Sequence, residues 1–164
     1  MFGNSDKHDF LTLGKGWIFK YDGAVWRIDS VNTYIWEEGE RTIEYEISNN
    51  ERKAFLEVED DEGKLLLYFS QAITSAELNV NFEGLNHYDE VVFKSERYEF
   101  DEEEIADFSS KTAIRERGKV RCINFEKKKK FVTIEYWDDD TIEYFAGLRI
   151  KKSAISNIKP SHLI

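Results

Sequence analysis

The chain has 164 residues, 15% of them aromatic and 34% charged, with a formal net charge of −10. That length fits one large domain or two intimately packed small ones, and a chain of this size buries about 68–70% of its unfolded surface without staples. The acidic balance repels phosphate backbones and so disfavours nucleic acid, while a lone cysteine excludes an internal disulfide or a cysteine-based metal cage.

Met1 to Gly16 contains no apolar run of signal-peptide length, and no apolar stretch anywhere approaches the ~18 residues of a membrane-spanning helix. The C-terminal Lys159 to Ile164 carries no lipidation or retention signal. A cytoplasmic protein is expected.

Polar and apolar residues alternate over much of the chain, which predicts strands. Trp17 to Tyr21 and Ala24 to Val31 flank Asp22-Gly23, a tight-turn signal because type I′ turns need positive φ at both central residues. Arg41 to Ser48 places Ile43, Tyr45 and Ile47 on one face and Thr42, Glu44 and Glu46 on the other. Lys53 to Val58 and Lys64 to Phe69 complete a three-stranded meander. Ser70 to Asn86 is less regular, a short helical turn or an extended linker. Strands resume at Glu90 to Phe93 and Arg97 to Phe100, whereas Asp101 to Phe108 reads as about one helical turn capped by Asp101. Lys119 to Glu126, Phe131 to Trp137 and Thr141 to Phe145 form a second meander. Lys151 to Ile158 reads as a short helical turn with Ile155 and Ile158 against the sheet.

The two meanders are alike. Phe55-Leu56-Glu57-Val58-Glu59 matches Phe131-Val132-Thr133-Ile134-Glu135, and each leads through an acidic turn into an aromatic strand. An internal duplication of units ~60–70 residues long is expected, longer than ordinary solenoid repeats. The expected architecture is all-β and mainly antiparallel: two similar meander units packed as small barrels or a sandwich, with at most short helical turns. The boundaries are an N-terminal tail at 1–12, a first unit at 13–78, a second unit at 79–158 packed with the first, and a C-terminal tail at 159–164.

The stretch Gly14-Lys15-Gly16-Trp17-Ile18-Phe19-Lys20-Tyr21-Asp22-Gly23-Ala24-Val25-Trp26-Arg27-Ile28, then Glu44-Tyr45-Glu46-Ile47 and Phe55 to Glu59, resembles the bacterial domain-of-unknown-function family 4178. Val92-Phe93, Tyr98, Ile134-Glu135-Tyr136-Trp137 and Tyr144-Phe145-Ala146-Gly147 continue the resemblance, from about Leu13 to Ile158. Phe55, where the family usually has tryptophan, and the run Lys127 to Lys130 depart from its pattern. The resemblance implies a β-rich fold and no established activity. It also hints at partners among membrane-stress proteins of the phage-shock type.

Chemistry is sparse. His8, His87 and His162 are scattered, no serine sits in a nucleophile elbow, and Gly14-Lys15-Gly16 reads as a loop. No catalytic residue, metal site or cofactor is therefore assigned. Cys122, in an alternating strand, is expected to pack as a small hydrophobe. Asp60-Asp61-Glu62 and Asp138-Asp139-Asp140 read as polar turns. Glu44 and Glu135 differ in having apolar neighbours; each is either a glycosidase-type acid or base or a solvent-facing strand residue.

Lys127, Lys128, Lys129 and Lys130 are expected at a solubilising hairpin tip, with peripheral contact to anionic lipid as the lesser alternative. Of the tryptophans, Trp36 is expected to be the most exposed, and Trp36 and Trp137 are binding candidates together with Glu44 and Glu135. The expected function is a non-catalytic module that binds a protein partner, or itself, through a sheet edge or aromatic groove. The alternatives are an enzyme or a small-ligand or glycan-binding protein using Glu44 and Glu135, and an acidic mimic that binds a basic protein.

Overall fold

The computed structural model describes residues 9–80, 89–112 and 115–160. The strands are β1 (Ile18–Tyr21), β2 (Ala24–Trp36), β3 (Arg41–Ser48), β4 (Lys53–Asp61), β5 (Lys64–Ile73) and β6 (Leu78–Val80) in the first half of the chain. In the second half they are β7 (Glu90–Phe93), β8 (Glu96–Ser110), β9 (Arg117–Lys127), β10 (Lys130–Trp137), β11 (Ile142–Ile150) and β12 (Ser156–Lys159). Two single-turn 3-10 segments, Ser75–Glu77 and Lys152–Ala154, precede β6 and β12. The protein is all-β and antiparallel.

Short turns set the local hairpins. Asp22 (φ 51°) and Gly23 (φ 75°) join β1 to β2, the positive-φ pair that a type I′ turn requires. Lys94 (φ 49°) and Ser95 (φ 66°) do the same between β7 and β8 without a glycine.

The strand order is β12-β1-β2-β3-β4-β5-β11-β10-β9-β8-β7-β6, and β2 also pairs with β8. That extra pairing closes β2-β3-β4-β5-β11-β10-β9-β8 into a ring. Length lets β2 and β8 serve two ladders. The start of β2 pairs with β1 and its end, Asn32 to Trp36, pairs with Ser110 to Ala106 of β8. The start of β8 pairs with β7. Both strands shift register midway, at Ile28/Ser30 and at Phe100/Glu102, where bulges bend them. The run β1 to β5, 3-10 turn, short strand is followed by β7 to β11 in the same order. The short strands cross over: β6 pairs with β7, and β12 with β1.

Asp101 to Phe108 is not a helical turn. It lies inside β8, where Glu102 to Ser109 pair rung by rung with β9 and alternate Ala106 and Phe108 inward. An acidic run with one apolar triplet offers a helix little burial, whereas the β9 ladder satisfies its whole backbone. β5 also runs on through Ile73 before the 3-10 turn.

Apolar residues on one face of the ring strands form two main clusters. Phe19, Trp26, Ile28, Tyr45, Ile47 and Leu56 centre the first, which Ile155 and Ile158 join from the end of the chain. Val91, Tyr98, Ile123, Phe125, Val132 and Ile134 make the second. A smaller cluster at the β2–β8 seam holds Tyr34, Ala106, Phe108, Val120, Cys122 and Trp137. The opposite face of the ring strands turns inward.

Candidate functional site

That inward face mixes carboxyls with aromatic rings. Every strand of the ring contributes to a cavity of about 250 Å³, lined among others by Tyr34, Glu44, Glu57, Tyr68, Glu104, Cys122, Glu135 and Phe145. The alternation that buries Ile43 and Tyr45 in the first cluster sends Thr42 and Glu44 into the cavity. In the same way Leu56 and Val58 leave Glu57 and Glu59 facing inward, and Ile134 leaves Glu135 there.

Glu44 and Glu135 are each only 7% exposed. Cross-strand register sets Glu44 opposite Glu57 on β4, and Glu135 opposite Cys122 on β9, which in turn faces Glu104 on β8. Hydrogen bonding separates the carboxyls. Glu44 accepts from Asn32 Nδ2 at 2.9 Å and from the Tyr34 hydroxyl at 3.2 Å. Asn32 Nδ2 also donates to Glu46 at 2.8 Å. Among the described residues, Glu135 receives only the Cys122 thiol, at 3.8 Å.

The electrostatics follow from this burial. Desolvation, then repulsion from Glu57, raises the Glu44 carboxyl to about 8 despite its two donors. Desolvation with help from Glu59 raises Glu57 to about 7. Glu135 is pushed well above the carboxylate range by desolvation and by Glu44 and Glu57. Glu104 rises to about 7 through desolvation and the nearby Glu102 and Glu59. Burial also pushes the Cys122 thiol far up, so it is a packed thiol and not a nucleophilic thiolate. Among the described residues, none of the ion pairs involves Glu44, Glu57, Glu104 or Glu135.

The cavity lining also carries charges of both signs. Glu59 and Glu102 are raised by desolvation and by a surrounding set that includes Glu40, Asp61, Asp101 and Glu38. Lys128, Lys129, Lys130 and Arg149 line the cavity as well. The lysine run is a hairpin tip, with Lys128 at φ 58°. Lys127 and Lys130 are committed to Glu96, each at 2.8 Å, and they hold its carboxyl down to about 2.

Trp36 is half-buried and not the exposed turn residue expected. It ends β2, donates its indole N–H to Thr42 Oγ1 at 2.9 Å and stacks on Tyr34 at 5.7 Å. Trp137 stays outside the cavity lining. It is 6% exposed in the seam cluster, edge-on to Phe108 at 5.2 Å, with the Arg115 guanidinium 3.9 Å above its ring. The structure thus brings Trp36, Glu44 and Glu135 into one cavity lining and sets Trp137 beyond it, in the seam cluster against which Trp36 packs. Glu57, Glu104, Tyr34 and Tyr68 escaped the sequence reading. Their signal is present, since each occupies the polar parity of an alternating strand, but that parity becomes an interior only when the ring closes.

His8, His87 and His162 lie outside the described residues. Among the described residues no group of His, Cys, Asp and Glu is arranged to hold a metal ion, and no helix is long and apolar enough to cross a membrane.

The family model described as Domain of unknown function (DUF4178) matches residues 14–152. The chain belongs to this family. No curated protein and no solved structure matches the chain. The matched DUF4178 region contains the whole ring and every carboxyl that faces the cavity.

Proposed function

We propose that this DUF4178 protein is a cytoplasmic, non-catalytic binding protein whose site is the ring interior and whose ligand is a small organic cation. One observation supports the reading above all. Glu44, Glu57 and Glu135 face one cavity of about 250 Å³, and among the described residues no lysine or arginine is paired to any of them. A buried carboxylate is costly unless a positive charge or several donors compensate it, and a bound ammonium supplies that charge. Tyr34, Trp36 and Tyr68 add aromatic faces that suit a cation. A protein partner added along a sheet edge has less to work with, because the outermost strands β6 and β12 span only three and four residues.

Titration calorimetry with butylamine, butanol and butyrate separates the chemistry, since the three share a chain and differ in charge. Butylamine alone should bind, and binding should disappear in the Glu44→Gln/Glu135→Gln double variant. Equal responses to all three compounds, or none, would overturn the reading.

Acid–base chemistry on a glycan is a second reading, favoured by one observation. Among the described residues Glu44 has two donors aimed at its charged form while Glu135 has only a thiol, and such an asymmetry parts an acid from a base. Turnover of nitrophenyl glycosides, lost in Glu135→Gln, would establish it. No turnover from mildly acidic to mildly alkaline pH would remove it.

A further inference from the structure

We propose that the cavity exchanges protons for its ligand: an organic cation enters as a proton leaves the Glu44–Glu57–Glu135 group, so that the ligand is held at neutral to alkaline pH and released on acidification. This rests on the cation-binding reading above and adds the regulation of that site.

The argument starts from compensation. Three carboxyls in a shared cavity must each be neutralised by a proton, a donor set or a cation. Among the described residues donors suffice only for Glu44, through Asn32 and Tyr34 on β2, and Asn32 also serves Glu46 on β3. Glu135 on β10 is 7% exposed, lines the cavity, and its carboxyl meets one weak thiol donor from β9. That partner-poor buried carboxyl, in a cavity with room for a ligand, separates this site from a mere cluster of acids.

The charged groups of the neighbouring strands are mostly acidic, with Arg149 and the lysines of the β9–β10 tip as the cations in the lining. From β4, Glu59 repels Glu57, and from β11, Glu143 repels Glu135. On β8, Glu104 faces Cys122. Tyr68 on β5, opposite Glu57, is itself raised to about 12 by burial and remains a neutral phenol. Arg149 on β11 pairs across from Tyr68, Lys128 and Lys129 are exposed at the β9–β10 tip, and Lys130 is paired with Glu96. The cavity therefore holds protons when empty, in line with the upward displacement of all three carboxyls. An ammonium beside them favours the ionised form, and the O–H bond of one carboxyl breaks with its proton passing to solvent.

Calorimetry of butylamine with the intact chain near neutral pH, in phosphate and in the zwitterionic buffer TES, reads the exchange directly, because released protons carry the buffer's ionisation enthalpy. The expected result is about one proton released per ligand and an affinity that rises about tenfold per pH unit between about pH 6 and about pH 8. Butylamine remains an ammonium across that range, so the slope belongs to the protein. Glu135→Gln, checked for folding by thermal unfolding, should bind with a smaller proton release. Binding whose enthalpy and affinity are the same in both buffers and at both pH values would overturn the exchange and leave the cation site standing. Absence of binding would overturn both.

Discussion

Glu44 and Glu135 occupy matching strand parities, yet their surroundings give them different proton affinities. The raised carboxyls bind protons more tightly in the folded chain than in the unfolded one. Their contribution to stability is complete below the unfolded carboxylate value of about 4.3. It is lost as pH rises through about 7 for Glu57 and about 8 for Glu44. Calorimetric melting should therefore show a midpoint that falls by about 5 °C or more from about pH 5 to about pH 8.5, if at least ~2 kcal/mol is lost. Glu135→Gln should shrink that fall, and a midpoint that climbs over the same interval would contradict the assignment. Asn32→Ala removes the donor shared by Glu44 and Glu46. It should cost about 2–4 kcal/mol in urea unfolding at alkaline pH, where Glu44 is charged, and less near pH 5.

Glycines show how differently one residue type acts within an element. A Cβ on Gly147 would lie 2.1 Å from the Phe69 carbonyl oxygen and 2.7 Å from the Ser70 Cα across the β5–β11 ladder. The two strands would have to part, so Gly147→Ala should cost about 3 kcal/mol or more in denaturant unfolding. Gly23 has open space around it and only its positive φ to lose. Gly23→Ala should cost about 1 kcal/mol, mostly as local turn strain. The Gly23 turn is legible in the sequence because Asp-Gly and its flanking aromatics are adjacent. The demand at Gly147 is not, because Ser70 comes close only through pairing between distant strands. Asp101 to Phe108 fails for the same reason: its local composition suits a cap and a turn, and β9 overrides it.

For the whole molecule, closure decides the chemistry. Two pairings between the halves, β5 with β11 and β2 with β8, convert alternating strands into a ring whose interior mixes carboxyls with aromatic rings. The chain's end takes part as well, since β12 pairs with β1 and buries Ile155 and Ile158 in the first cluster. Ile158→Ala should lower global stability by about 2–5 kcal/mol as a single cooperative transition. A separate early transition confined to the tail would show that β12 is not part of the first cluster's unit.

The sequence by itself determined the all-β class, most strand positions, the Asp22-Gly23 hairpin and the DUF4178 membership, because alternation and turn chemistry are local. Only the tertiary structure decided which face of each strand is interior. Alternation distinguishes two faces without saying which one a ring encloses, and the β2–β8 and β5–β11 contacts join segments with no local signal for each other. Those contacts turn Glu44 and Glu135 from residues on opposite halves of the chain into neighbours in one cavity.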